Sequence, residues 1–190
     1  MVSRWVSSLG RRLLLGVLQL TGLPVKTVWA HPHDELQQSV YVTPLPDRIT
    51  IEVQMYPGLL VAEELASSLD LDGDGVISDS EAQAHIAALS SAISVSFDRA
   101  TVPLRLVQFS YPPVALIRQS AAMIAIMFAA DAPDAKREKQ VTTVSYYHEP
   151  PNSTIQLNLT LSAKETMNVV SVERQDDGKT LTMEYSKPSP

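Results

Sequence analysis

Alternating apolar and polar positions dominate the chain from residue 39 onward. Ser39–Thr43 and Ile49–Met55 alternate strictly, the pattern of a strand with one buried face. The period changes after Pro57-Gly58. Ala62, Leu65, Ala66 and Leu69 fall at helical spacing within Leu59–Leu69, and Ala82, Ile86 and Leu89 share one face of the Ala-rich stretch Asp79–Ser90. Alternation resumes at Ile93–Phe97 and Val102–Phe109, with Asp98–Thr101 as the turn between them. Met123–Phe128 is apolar at every position. A strand buried on both faces fits it, with a buried helix as the alternative. Asp131–Glu138 is polar, contains a proline and reads as a surface loop. Val141–Tyr147, Thr154–Leu161, Asn168–Glu173 and Thr180–Tyr185 alternate again, and Asp177-Gly178 between the last two is a hairpin signal. About nine short strands predict an α+β fold. It is an antiparallel β-sandwich-like domain with a helix–loop–helix inserted after the second strand, at residues 59–90.

The first thirty residues follow another pattern. They hold Arg4, Arg11, Arg12 and Lys26, no acid, an apolar run from Leu13 to Val25, and a small residue at Ala30. A basic start, a short apolar middle and a small-residue end make an export signal over residues 1–30. An uncleaved membrane anchor is the alternative, but the run falls short of the roughly 20 residues a spanning helix needs. Gly10–Leu15 also resembles a twin-arginine signal. Residues 31–37 then form an N-terminal tail, and residues 38–187 one domain. The expected location is extracytoplasmic, periplasmic or secreted. No later apolar run is long enough to cross a bilayer, so the mature chain is expected not to span the membrane.

Charge and composition sharpen this picture. The 190 residues carry 15 basic and 21 acidic side chains, a net charge of −6. Without the four bases of residues 1–30, 11 bases face 21 acids and the net charge becomes −10. That balance disfavours nucleic acid as a partner. Cysteine is absent, which excludes a disulfide scaffold, thiolate metal sites and thiol catalysis.

Half of the net charge after residue 30, −5 of −10, sits in Asp70–Glu81, whose twelve residues carry five acids and no base. The spacing is that of an EF-hand calcium loop. Asp70, Asp72 and Asp74 offer carboxylates at loop positions 1, 3 and 5, and Gly75 supplies the positive-φ turn at position 6. Val76 needs only its carbonyl, and Ile77 is the apolar plug. Ser78 ligates through its hydroxyl or a water, and Glu81 closes the site with two oxygens. Seven oxygens suit Ca²⁺ better than octahedral Mg²⁺. The expected metal ligands are therefore Asp70, Asp72, Asp74, Val76, Ser78 and Glu81, and the expected cofactor is Ca²⁺. EF-hands pair, yet there is one clear copy. Glu173–Glu184 imitates the spacing loosely but reads better as a hairpin. A lone hand binds weakly unless something buttresses Ile77.

Other candidates carry less. His31, His33 and the new α-amine could hold a transition metal, although Pro32 blocks the square-planar mode that uses backbone amides. His85 reads as a helix-surface or partly packed residue and His148 as a loop residue. Glu63-Glu64 reads as a solvated helix face. The sequons at Asn152 and Asn158 matter only in a eukaryotic secretory pathway. No nucleophile elbow, zinc-protease motif or phosphate loop is present, so no enzymatic activity is expected.

The leader ending in Ala30-His31-Pro32, the two alternating strands, the single Asp-x-Asp-Gly-Asp-Gly loop and the Ala-rich helix resemble one known arrangement. It is the extracytoplasmic domain preceding the membrane helices of bacterial nickel/cobalt-transporter-like proteins of the hydrogenase/urease accessory family. The matching segments are Ala30–Pro32 and Ile49–Phe109. The present sequence reaches Pro190 without such helices, so the resemblance implies a soluble accessory to a separate membrane transporter or other exported protein. The expected function is an exported calcium-binding protein in which one EF-hand loop stabilises or regulates a β-rich domain. The alternative is a periplasmic accessory for nickel or cobalt handling, using His31 and His33.

Overall fold

The computed structural model describes residues 34–133, 138–162 and 167–186. The chain runs β1 (Leu36–Pro44), β2 (Arg48–Pro57), α1 (Ala62–Leu69), α2 (Asp79–Ala92), β3 (Ile93–Phe97), β4 (Ala100–Thr101), β5 (Arg105–Ser110) and α3 (Val114–Arg118). It continues through β6 (Ile124–Asp131), β7 (Lys139–Tyr146), β8 (Ser153–Leu159), β9 (Asn168–Gln175) and β10 (Thr180–Ser186). The leader expected at residues 1–30 and the His31/His33 candidate lie outside the described residues. Residues 134–137 of the surface loop expected at 131–138 do too.

The strands form two five-stranded sheets, ordered β5-β6-β2-β1-β8 and β4-β3-β7-β10-β9. Period-two patterning builds both. On β1 and β2 the alternate positions Val40, Val42, Ile49, Ile51 and Val53 are fully buried, and the register sets Val40 opposite Val53 and Val42 opposite Ile51. On the second sheet Val95, Val144, Tyr146, Leu181, Met183 and Tyr185 turn inward. Side chains of both sheets join one hydrophobic core. Each fully buried aliphatic or aromatic residue there contributes about 1.5–3 kcal/mol. The helical segment is the crossover from β2 in one sheet to β3 in the other. Ala66, Leu69, Ile86 and Leu89 seat it on that same core. Among the described residues no helix is long and apolar enough to cross a membrane.

Several expectations need correction. The fold is mostly β with two sheets, but it is not wholly antiparallel: β8 runs parallel to β1, with Leu36 opposite Ser153 and Val42 opposite Leu159. The chain reaches β8 by crossing over from β7 in the other sheet, and it arrives pointing the same way as β1. There are ten strands among the described residues. β1 starts at Leu36, inside the segment read as tail. The strand expected at Val102–Phe109 begins only at Arg105, because Pro103 has no N–H to give a ladder. β5 is then an edge strand exposed along its whole length. Of Met123–Phe128, Ile124 onward is strand, not helix, lying between β5 and β2. Ile124, Ile126 and Phe128 are buried while Ala125 and Met127 are half-covered, so burial is heavier on one face. The first helix begins at Ala62, leaving Leu59 and Leu60 exposed before it. α3 was not expected at all.

Candidate metal centre

α1 ends where the Asp-rich stretch begins. The Asp70 N–H still donates to the Ala66 carbonyl at 3.0 Å, so the last turn of α1 delivers Asp70 to the protein interior. Asp70 is 4 % exposed. One carboxylate oxygen, Oδ2, accepts from the Gly75 N–H at 3.1 Å. The other, Oδ1, is buried and has no hydrogen-bond partner. A buried acceptor left unpaired costs about 1–3 kcal/mol, more when charged, so Oδ1 calls for a cationic or donor partner.

The next two carboxylates organise the backbone around this group. Asp72 Oδ1 accepts from the Asp74 N–H at 3.2 Å, and Asp74 Oδ1 accepts from the Val76 N–H at 2.8 Å. Gly73 and Gly75 turn the chain at φ of 73° and 86°, the left-handed region that a side chain resists. One carboxylate oxygen from each of Asp70, Asp72 and Asp74 lies within 4.8 Å of those from the other two. Like charges that close repel by roughly 1–3 kcal/mol per pair at effective dielectrics of about 20–80.

The far end is closed by α2. Ser78 is its N-cap, and Ser78 and Glu81 form a reciprocal capping box. Glu81 Oε2 accepts from the Ser78 N–H at 2.8 Å and from the Ser78 hydroxyl at 2.7 Å, and Oε1 accepts from the Leu71 N–H at 2.5 Å. These donors hold the Glu81 carboxyl below its usual range, the Ser78 hydroxyl most strongly, then the amides of Ser78 and Leu71. Glu81 thus ties loop position 2 to position 9. The structure gathers Asp70, Asp72 and Asp74, while the oxygens of Glu81 and Ser78 are engaged with each other and with backbone donors. Val76 turns its side chain to solvent. Ile77 is half-buried and packs against the core shared by the two sheets.

Arg118 is the neighbour that sequence reasoning missed. α3 packs against α1. Its last residue brings Arg118 Nε to 3.2 Å from Glu63 Oε2 and Nη2 to 4.0 Å from Asp70 Oδ2. Glu63 is therefore half of an ion pair rather than only part of a solvated face. A local signal for α3 did exist: Pro112-Pro113 followed by Val114 and Ile117 three apart. Nothing local says that Arg118 ends beside Asp70.

Two histidines occupy the far side of α2. His85 is half-buried, and its Nδ1 shares a hydrogen bond of 2.6 Å with the Tyr111 hydroxyl. Its ring meets that of His148 edge-on at 6.3 Å between centroids. Burial, and then the neighbouring His148, push the His85 pKa down to about 4. Burial also lowers that of His148. The carbonyl of His148 accepts from Gln38 Nε2 at 2.9 Å, and the buried Tyr146 hydroxyl donates to Gln38 Oε1 at 2.5 Å, linking the two sheets.

Glu173–Glu184 is a hairpin: β9 and β10 pair antiparallel around Asp176–Gly178. Asn152 sits in a turn and Asn158 in β8. The chain matches no protein-family model, and no curated protein matches it.

Proposed function

We propose that Asp70–Glu81 is an EF-hand calcium loop and that the ion is structural, fastening the α1–loop–α2 segment to the β-rich domain. The buried, partnerless Oδ1 of Asp70 beside two further carboxylates carries this reading. An all-oxygen donor set fits a hard divalent cation. The ligands are the carboxylates of Asp70, Asp72 and Asp74, the Val76 carbonyl, Ser78 and Glu81. Glu81 exchanges its hydrogen bonds to Leu71 and Ser78 for the ion. The packing of Ile77 on the core supplies the support that a second hand gives in a paired domain. The leader pattern of residues 1–30 supports an exported location, where millimolar calcium makes a weak site useful. A dissociation constant on the order of 10⁻⁴–10⁻³ M is expected, as in other extracellular modules.

Calorimetric titration of Ca²⁺ into the wild type, Asp70→Asn and Glu81→Ala tests the reading. The expected outcome is one site in the wild type, with its heat lost in both variants. Equal heats in all three, or none in the wild type, overturns it.

A further inference from the structure

We propose that Arg118 is a built-in counter-ion of the Asp70 loop, a tethered cation that lowers the affinity of the site for divalent ions. The proposal rests on the calcium reading of the loop and identifies what sets its strength.

The placement of Arg118 is not that of a free surface arm. α3 is anchored by Val114 and Ile117, both fully buried. Just beyond it, the Ser120 hydroxyl donates to the Pro57 carbonyl at 2.5 Å, tying this segment to the end of β2. The side chain, 39 % exposed, reaches from that anchored turn to Glu63 and to Asp70. Asp70 has no exposed side-chain surface, so water screens this pair less than an ordinary surface contact. Among the described residues no other lysine or arginine comes within 4.0 Å of a carboxylate of Asp70–Glu81.

Two consequences follow from one charge. Before any ion binds, the guanidinium offsets part of the repulsion among Asp70, Asp72 and Asp74, so the loop holds its shape. When a dication arrives, the same guanidinium repels it and competes for the Asp70 carboxylate. Binding shifts Arg118 toward Glu63, its nearer partner. Removing the positive charge while keeping a polar side chain tightens the site by about tenfold or more, tenfold being the size expected for one charge about 5 Å from a dication even at a water-like dielectric of about 80.

The test is Ca²⁺ titration calorimetry on the full chain at fixed ionic strength, with wild type, Arg118→Gln and Arg118→Lys, each also melted with and without calcium. Arg118→Gln is expected to bind Ca²⁺ about tenfold more tightly and to melt lower than wild type without calcium, with the gap narrowing at saturation. Arg118→Lys, which keeps the charge, is expected to stay near wild type. Unchanged or weaker binding by Arg118→Gln, with an equal loss of melting temperature in both conditions, makes Arg118 a packing residue and overturns the proposal. If the glutamine variant does not fold, Arg118→Met, which keeps the apolar stem without the charge, takes its place: Ca²⁺ binding about tenfold tighter than wild type upholds the proposal, and unchanged binding overturns it. Absence of calcium heat in the wild type overturns the calcium reading itself. Heat that is the same in all three overturns only the role of Arg118.

Discussion

Two stretches of this chain fold aspartates around a glycine, Asp70–Glu81 between helices and Glu173–Glu184 between strands. In the hairpin, Asp176 Oδ2 accepts from the Tyr147 hydroxyl at 2.9 Å and from Thr180 Oγ1 at 2.8 Å. Those two hydrogen bonds, Thr180 first, hold its carboxyl below the usual range. Asp176, Asp177 and Gly178 all take positive φ to make the tight return. Asp176 is exposed and supplied with protein donors. In the other stretch the leading aspartate is buried, one of its oxygens has no donor, and two more carboxylates crowd toward it. Similar residue types thus give an internally satisfied turn in one place and an unmet demand for positive charge in the other. Acid count does not separate them; the supply of donors does.

The sharpest way to break this contrast is with calcium. At a concentration about 100 times the dissociation constant, linkage stabilises the protein by about 2.7 kcal/mol, or roughly 5–10 °C for a domain of this size. Thermal melts with and without Ca²⁺ are expected to show that gain in wild type and Asp176→Asn, and not in Asp70→Asn. A gain lost on changing Asp176 instead reverses the assignment of the two stretches.

Acid separates the two regions next. His85, on the helix that leaves the loop, binds its proton in the unfolded chain near pH 6.5 but in the folded one only near 4. The unfolded state therefore holds more protons between those values, and stability drops as pH falls from about 6.5 to 4. Up to about 2–3 kcal/mol is involved. Asp176, with its pKa depressed from 3.8, acts in the opposite chemical sense but the same direction: its stabilisation is present above pH 3.8 and is lost below it. Urea denaturation at a series of pH values is expected to show two separate falls. His85→Gln removes most of the upper one, and Asp176→Asn reduces only the lower one.

The glycines give the smallest effect. Gly75→Ala and Gly178→Ala each force a side chain into positive φ where there is open space around the new atom, so each is expected to cost about 1 kcal/mol from backbone strain. Chemical denaturation without calcium should find the two nearly equal. With calcium the Gly75 variant falls further behind, because its turn also shapes the loop.

Much of this was legible in the chain. Alternation found β1, β2, β3 and β10, and the buried faces of α1 and α2 are the positions Ala62, Ala66, Leu69, Ala82, Ile86 and Leu89 read from helical spacing. The hairpin at Asp177-Gly178 was legible because turn chemistry is local. Legibility ended where partners are distant. Pairing of β8 with β1, the arrival of Arg118 beside Asp70 and the Tyr146–Gln38 bond each join residues far apart in sequence, and no local pattern encodes them. Ser78-Asp79-Ser80-Glu81 also carries the local signature of a capping box, which the loop spacing overshadows; in the structure that box is what the Glu81 carboxylate forms.

The parallel pairing of β1 with β8 has a consequence for how the chain assembles. Leu36 through Val42 lie opposite Ser153 through Leu159, so one side of an early strand is completed by one of the last. During synthesis from the N-terminus, β1 and β2 meet at once, while the outer rim of β1 stays open until residue 159 has emerged. An open rim is a template for any extended chain nearby. Folding of this protein is therefore exposed to misassembly until β8 arrives, and a helper that shields an extended edge during that interval would raise its yield.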